Sequence, residues 1–302
     1  MADDEFETSA RLLEAHADYR VLRRLGVRDD FGDPGTQEVR RAAVIDTETT
    51  GLTLGTDKVI ELGLVVFEYA PATGEVFRVV DAYSGLEDPG RPIPAESTAI
   101  HGITDAMVAG KRIDDARVKA LLQGMSLLIA HNAEFDRPFL EQRLPFLAKL
   151  PWACSLRQVP WSDEGFGAAG LEHLAYRCGF FFDAHRSEID CRALLEILRR
   201  PLPVSGRPAL KRLLELAETA DWRLYALASP FETKDLLKAR GYRWDDKKRA
   251  WHRTLEAGAM RAEIAWLKAN VYKRDSVTLE VEEQDALVRF SGRPGKRQTR
   301  AF

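Results

Sequence analysis

AAVIDTETTG, residues 42–51, is the stretch on which the fold turns. A short apolar run, Ala43-Val44-Ile45, ends abruptly in Asp46-Thr47-Glu48. That pattern suits a buried strand whose C-terminal end carries chemistry. Residues two apart on a strand project to one face, so Asp46 and Glu48 are expected side by side at the rim of a hydrophobic sheet. Carboxylates held that close repel unless one keeps its proton or a cation lies between them. Hard oxygen ligands select Mg²⁺ or Mn²⁺. A lone D-x-E after a strand is usually a solvated turn, so the question is whether other segments supply matching ligands.

Two segments do. The apolar run Leu127–Ala130 breaks into His131-Asn132-Ala133-Glu134-Phe135-Asp136, and Pro138 stands near the start of a helix expected to reach about Ala148. His185-Arg186-Ser187-Glu188-Ile189-Asp190 opens another helix, expected over Ser187–Arg199. The H-x4-D spacing puts His185 in the loop and Asp190 about a turn into the helix. Four carboxylates and one histidine, drawn from separate segments, thus fall at element ends. A phosphate-cleaving site is built this way: two cations about 4 Å apart clamp the attacking and leaving oxygens while a base removes a proton from water.

In order and context, Asp46-Thr47-Glu48-Thr49-Thr50-Gly51, His131 to Asp136 and His185 to Asp190 resemble the three motifs of the DEDDh 3′–5′ exonuclease family. Polymerase III epsilon-type proofreading subunits and ribonuclease T belong to that family. The match covers about residues 40–200. The resemblance implies a ribonuclease H-like α/β fold, a mixed sheet flanked by helices. It implies that Asp46, Glu48, Asp136 and Asp190 bind two Mg²⁺ (or Mn²⁺) and that His185 is the general base. Histidine suits proton removal near neutral pH. Ile93-Pro94, followed by His101-Gly102-Ile103-Thr104, resembles the family's loop near the terminal nucleotide. Thr47, with the backbone near Leu52, would hold the 3′ end, and Phe135 would pack on the terminal nucleotide. Phe135 reads equally well as core, and His101 reads better as structural. His131 is expected to bond nearby backbone. Glu61 is either a partner of the site or half of an ion pair. His16, His173 and His252 read as ordinary residues.

The expected substrate is nucleic acid with a free 3′ end, single-stranded DNA favoured, released as nucleoside 5′-monophosphates. An RNA-trimming enzyme would use the same site, because discrimination at the 2′-hydroxyl depends on pocket geometry. A non-catalytic nucleic-acid-binding or polymerase-docking protein is the rival of another class, and the presence of all five catalytic residue types argues against it. A proofreading or repair role would need a polymerase or repair partner in trans.

The expected organisation is an N-terminal helix and linker over 1–39, the exonuclease domain over 40–200, a linker helix over 201–222, and a basic α+β accessory domain with a flexible tail over 223–302. Leu12, Leu13, Tyr19, Leu22 and Leu25 suggest one helix over 8–25, and the Gly- and Pro-containing 26–38 reads as linker. Near the C-terminus, Val277–Val281 and Ala286–Phe290 suggest a hairpin, followed by the basic tail SGRPGKRQTRAF. Residues 223–302 carry a net charge of +7 and residues 1–222 a net of −10. That asymmetry points to a polyanionic partner. The segment GYRWDDKKRAWHRTL resembles small α/β modules appended to nucleic-acid enzymes. Its Trp244 and Trp251, with Trp266 beyond, read as core, and the surface lysines and arginines as nucleic-acid contacts. Cys154, Cys178 and Cys191 lack C-x-x-C spacing and read as reduced thiols. No apolar run is long enough for a membrane span, and the acidic opening lacks the apolar core of a signal peptide, so a cytoplasmic protein is expected.

Overall fold

The computed structural model describes residues 2–302. Its strands in chain order are β1 (Arg23–Arg24), β2 (Arg40–Thr49), β3 (Val59–Tyr69), β4 (Val76–Leu86), β5 (Leu128–Ala130), β6 (Trp152–Cys154), β7 (Phe180–Phe181), β8 (Asp221–Ala226), β9 (Arg243–Asp245), β10 (Ala250–Leu255), β11 (Thr278–Gln284) and β12 (Lys296–Ala301). The α-helices are α1 (Ala2–Glu14), α2 (Ala95–His101), α3 (Asp105–Val108), α4 (Asp115–Leu121), α5 (Ala133–Arg143), α6 (Ser155–Gln158), α7 (Leu171–Arg177), α8 (Ser187–Leu198), α9 (Ala209–Glu218), α10 (Lys234–Ala239) and α11 (Met260–Leu267).

The larger unit is a five-stranded mixed sheet in the order β4-β3-β2-β5-β6. Strands β4, β3 and β2 run antiparallel, while β5 and β6 lie parallel to β2 and to each other. Side-chain alternation along β2 assigns its faces. Ala42 and Val44 join a core built with α7, α8 and α9, whereas Ala43 and Ile45 join a core built with α5 and Trp152. Strand β3 is buried along its whole length, as a strand sandwiched between two helical layers must be. Helix α8 sits unusually close to it. A Cβ on Gly63 would lie 2.3 Å from the carbonyl carbon of Ser187, so only glycine lets the start of α8 rest on the sheet.

The second unit is a five-stranded sheet in the order β12-β11-β8-β10-β9, antiparallel throughout. Leu224, Ala226, Leu255, Leu279 and Val281 pack against α10 and α11 on one of its faces. The two units are joined by the segment after β11. Arg137, fully buried in α5, donates from Nη1 to the carbonyls of Ala286 (3.0 Å) and Arg289 (2.6 Å) and from Nη2 to that of Leu287 (2.5 Å). Trp152 N donates to the Ala286 carbonyl at 2.8 Å.

Several expectations are corrected. The N-terminal helix ends at Glu14, not at residue 25. Residues 15–27 instead form a strap whose β1 pairs in parallel with β7. Ala286–Phe290 is not a strand, because its carbonyls are taken by Arg137. The strand that completes the hairpin is β12, which occupies the tail read as flexible. Its exposed residues are held by a full backbone ladder and by Arg297, which meets Glu282 at 2.7 Å. Helix α5 stops at Arg143 and gives way to a 3₁₀ turn over Pro145–Lys149. Residues 86–104, whose prolines read as loop, contain α2. Trp251 and Trp266 pack against the second core as expected, but Trp244 is exposed and makes an edge contact with Trp251.

Candidate active site

Because Asp46 and Glu48 follow Ala42 and Val44 on β2, they fall on the face that α8 covers. One carboxylate oxygen from each of Asp46, Glu48 and Asp190 lies within 4.8 Å of the others. Asp136 arrives from α5, on the other face, and reaches the strand end. Its Oδ1 accepts from Thr47 N at 3.2 Å, and it is 3% exposed. It stands beside the trio rather than within it, and its charge acts on both Asp46 and Glu48.

Burial and mutual repulsion push these acids upward in the same sense. Burial, followed by the charges of Asp136, Asp190 and Glu48, holds Asp46 well above the usual carboxylate range. Burial, followed by Asp190, raises Glu48 to about 8. Burial raises Asp136 to about 8 and Asp190 to about 6. Among the described residues no lysine or arginine forms an ion pair with any of these four. A crowded set of hard oxygen donors without a counter-charge suits a divalent cation such as Mg²⁺ or Mn²⁺.

His185 is exposed at the rim, with φ 64°, in the left-handed region that histidine visits more readily than most residues. The two residues that follow His185 are held by Glu61. This residue is buried in β3, where its Oε2 accepts from Ser187 N at 3.0 Å and its Oε1 from Arg186 Nη2 at 3.0 Å. Asp190 Oδ2 accepts from Arg186 N at 2.8 Å, closing the turn. Both sequence readings of Glu61 therefore meet in one residue, an ion pair that also supports the site loop. Arg186 and Ser187 were not singled out in the sequence. The available signal was the lone charge of Glu61 in an apolar strand, which demands a buried partner.

The substrate-binding candidates separate. Leu52 is 83% exposed and open to a ligand. Thr47 is buried, and its hydroxyl donates to the Glu61 carbonyl at 2.9 Å. Phe135 is half-buried and packs on Phe139 with ring centroids 5.0 Å apart. His101 is buried. Its Nδ1 accepts from Ile103 N at 3.0 Å, and its Nε2 faces the Thr49 backbone without a hydrogen bond of normal geometry. His131 bonds Ser155 Oγ through Nδ1 and the Ala169 carbonyl through Nε2, each at 2.8 Å, and burial lowers it to about 4. It is a structural histidine.

Comparison with known proteins agrees with this geometry. The family model described as exonuclease, RNase T type, matches residues 43–198. A DNA polymerase III subunit epsilon-like protein of Rhodobacter capsulatus is 38% identical over 171 residues, 53% of this chain and 23% of that protein. The DNA polymerase III subunit epsilon of Treponema pallidum is 32% identical over 164 residues, 50% of this chain and 72% of that protein. A solved structure, exonuclease X in complex with 5′ overhanging duplex DNA, is 27% identical with a TM-score of 0.41, covering 58% of this chain and 98% of that one. The chain spans under a quarter of the epsilon-like relative and 15% of a PolC-type DNA polymerase III of Thermotoga maritima. Strand-end carboxylates, a helix-borne partner and the matched residues 43–198 together make this chain a member of the DEDDh exonuclease family of the ribonuclease T superfamily.

Proposed function

We propose that this chain is a divalent-metal-dependent 3′–5′ exonuclease that removes nucleotides from DNA as nucleoside 5′-monophosphates. The observation that carries the reading is the convergence of Asp46, Glu48 and Asp190 within 4.8 Å, with Asp136 alongside and no paired basic residue. In this reading Asp46, Glu48, Asp136 and Asp190 hold two Mg²⁺ or Mn²⁺. The bound ions would supply charge neutralisation for the phosphate and its leaving oxygen. His185, free at the rim, takes the proton from the attacking water. Glu61 and Arg186 fix the loop that aims it. Leu52, exposed beside the strand end, is the contact for the terminal nucleotide. Phe135 and His101 line or support that pocket, and Thr47 contributes through its backbone.

DNA is favoured over RNA, and 3′–5′ polarity is adopted, on the strength of the epsilon-type relatives. The same relatives make a polymerase or repair protein in trans the partner to test. The basic residues 223–302 are read as adding affinity for the polyanion. No described helix is long and apolar enough to cross a membrane. The experiment is purified protein on 5′-end-labelled single-stranded DNA, duplex DNA and RNA, with Mg²⁺ or Mn²⁺. A ladder shortening from the 3′ end of DNA supports the reading. Shortening of RNA alone selects the trimming enzyme, and binding without cleavage selects the docking protein.

A further inference from the structure

The N-terminal strap lies outside the family match, yet it holds Arg20, Arg23, Arg24 and Arg28 within nine residues. Pairing of β1 with β7 lays these beside the end of α8. A hollow of about 510 Å³ results, lined by Arg23, Arg24, Arg28, Arg199 and Arg200 and by Glu14 and Glu196, with Glu7 also pairing with Arg23 and Asp183 with Arg24. Arg199 and Arg200 share Glu196, and Glu14 serves Arg23, so both carboxylates are already engaged. Around the hollow, Arg20, Arg28 and Arg177 have no carboxylate partner among the described residues. This concentration of positive charge stands on a unit whose residues 1–222 total −10.

The patch also carries rings. Arg20 lies 4.1 Å above Tyr176, and Arg24 lies 4.9 Å above Phe181. Both rings are exposed, at 44% and 41%. Arg28 and Arg199 flank Phe31 at 5.3 and 5.0 Å. Guanidinium planes and exposed rings are stacking surfaces for unpaired bases, and the surplus charge suits phosphates. A purely electrostatic acidic peptide would have no use for the rings. Position supports the same ligand. Strand β7 leads through Asp183, which pairs with Arg24 at 2.7 Å, directly into the His185 loop. The far side of the hollow lies one length of α8 away, roughly 18 Å for 12 residues.

We propose that this arginine–aromatic hollow binds single-stranded nucleic acid upstream of the terminus being cleaved. The proposal rests on the exonuclease reading. A 20-mer spans the distance even when fully stacked at roughly 3.4 Å per nucleotide, whereas a 3-mer, with two internucleotide linkages, falls short of it even when extended.

The test uses the full chain and the variant Arg20→Ala/Arg28→Ala/Arg177→Ala, which leaves every ion pair of the patch intact. Affinity for an oligothymidylate 20-mer is read by fluorescence anisotropy in EDTA across a salt series. Turnover of the 20-mer and of a 3-mer is read in Mg²⁺. The expected result is a roughly tenfold or larger loss of 20-mer affinity, with a log–log salt slope shallower by about 2, from three contacts at about 0.7 each. The 3-mer should keep its kcat and KM. Unchanged 20-mer affinity and slope overturn the proposal. So does an equal loss on the 3-mer, and so does a wild-type patch that binds an acidic peptide as tightly as the 20-mer. Failure of the wild type to cleave either oligonucleotide refutes the exonuclease reading instead, while the EDTA arm still reports on the hollow.

Discussion

Glu48→Gln should make the metal-free protein more stable at alkaline pH, although it deletes a residue of the site. In the fold Glu48 holds its proton up to about 8, against 4.5 ordinarily. Between those values the native state binds more protons than the unfolded chain, so stability falls as pH rises from about 4.5 and levels off above about 8. At about 1.4 kcal/mol per pH unit the full interval corresponds to about 5 kcal/mol. The carboxylate is partly exposed and shares its repulsion with Asp190, so solvent screening reduces this to about 2–3 kcal/mol. Glutamine cannot ionise and escapes that loss. Urea denaturation of wild type and Glu48→Gln in EDTA, from pH 5 to 9, measures it. The two stabilities should lie close together at pH 5 and diverge in favour of the variant by pH 9. Saturating Mg²⁺ should then stabilise wild type more than the variant, because the cation supplies the missing counter-charge. Parallel curves across the pH range would refute the argument that burial, with repulsion from neighbouring carboxylates, holds Glu48 protonated in the fold.

Asp46→Ala should abolish cleavage while leaving metal-free stability unchanged or raised, since it relieves the same crowding. Normal cleavage by the pure variant ends the site assignment. His185→Ala should lower turnover by roughly 10²–10⁴-fold, the scale of general-base loss. Calorimetric Mn²⁺ titration should find its metal sites intact. Arg137→Ala leaves the Arg289 carbonyl without its donor, while Arg293 still pairs with Glu141 and donates to the Leu287 carbonyl and Trp152 N still reaches that of Ala286, so a loss of about 1–3 kcal/mol is expected in denaturant unfolding. Limited proteolysis should then cut near residue 287 first. Deletion of 223–302 removes the carbonyls that hold Arg137 and the Ala286 acceptor of Trp152 N, so the truncated chain should melt earlier as well as bind nucleic acid less well.

The catalytic strand was readable because its signal is local. Apolar residues before Asp46 and acids after it need no tertiary knowledge, and the same holds for the 131–136 and 185–190 segments. What local pattern could not supply was the face from which each acid arrives. Asp136 comes from the opposite layer, and only the packing of α5 shows why it stands apart from the trio. The strap was misread for a different reason. Tyr19, Leu22 and Leu25 carry helical spacing, but the chain leaves the helix at Glu14, and Leu25 packs against the catalytic core. Strand β12 has no apolar alternation at all, since every one of its residues is exposed. Only its partner β11 defines it. Arg137 is the hardest case. A lone arginine one residue beyond Asp136 looks like surface charge, and its burial depends on carbonyls some 150 positions away.

At both borders of the catalytic sheet, chain from outside the matched residues 43–198 takes up part of the edge. On the β4 side, Val79 N donates to the Asp29 carbonyl and Phe31 N to that of Phe77, each at 2.8 Å. On the β6 side, the Ala286 carbonyl takes the Trp152 N–H, and the Gln158 side chain takes that of Cys154. Open sheet borders template association between molecules, and these flanks occupy donors and acceptors that another chain could otherwise pair with. The two seals do not arrive together. On a ribosome the Asp29–Phe31 seal emerges ahead of the strand it covers, whereas β6 waits through more than a hundred further residues for Ala286. Throughout that interval the nascent catalytic unit presents one raw border, the period in which a growing chain is most exposed to misassembly.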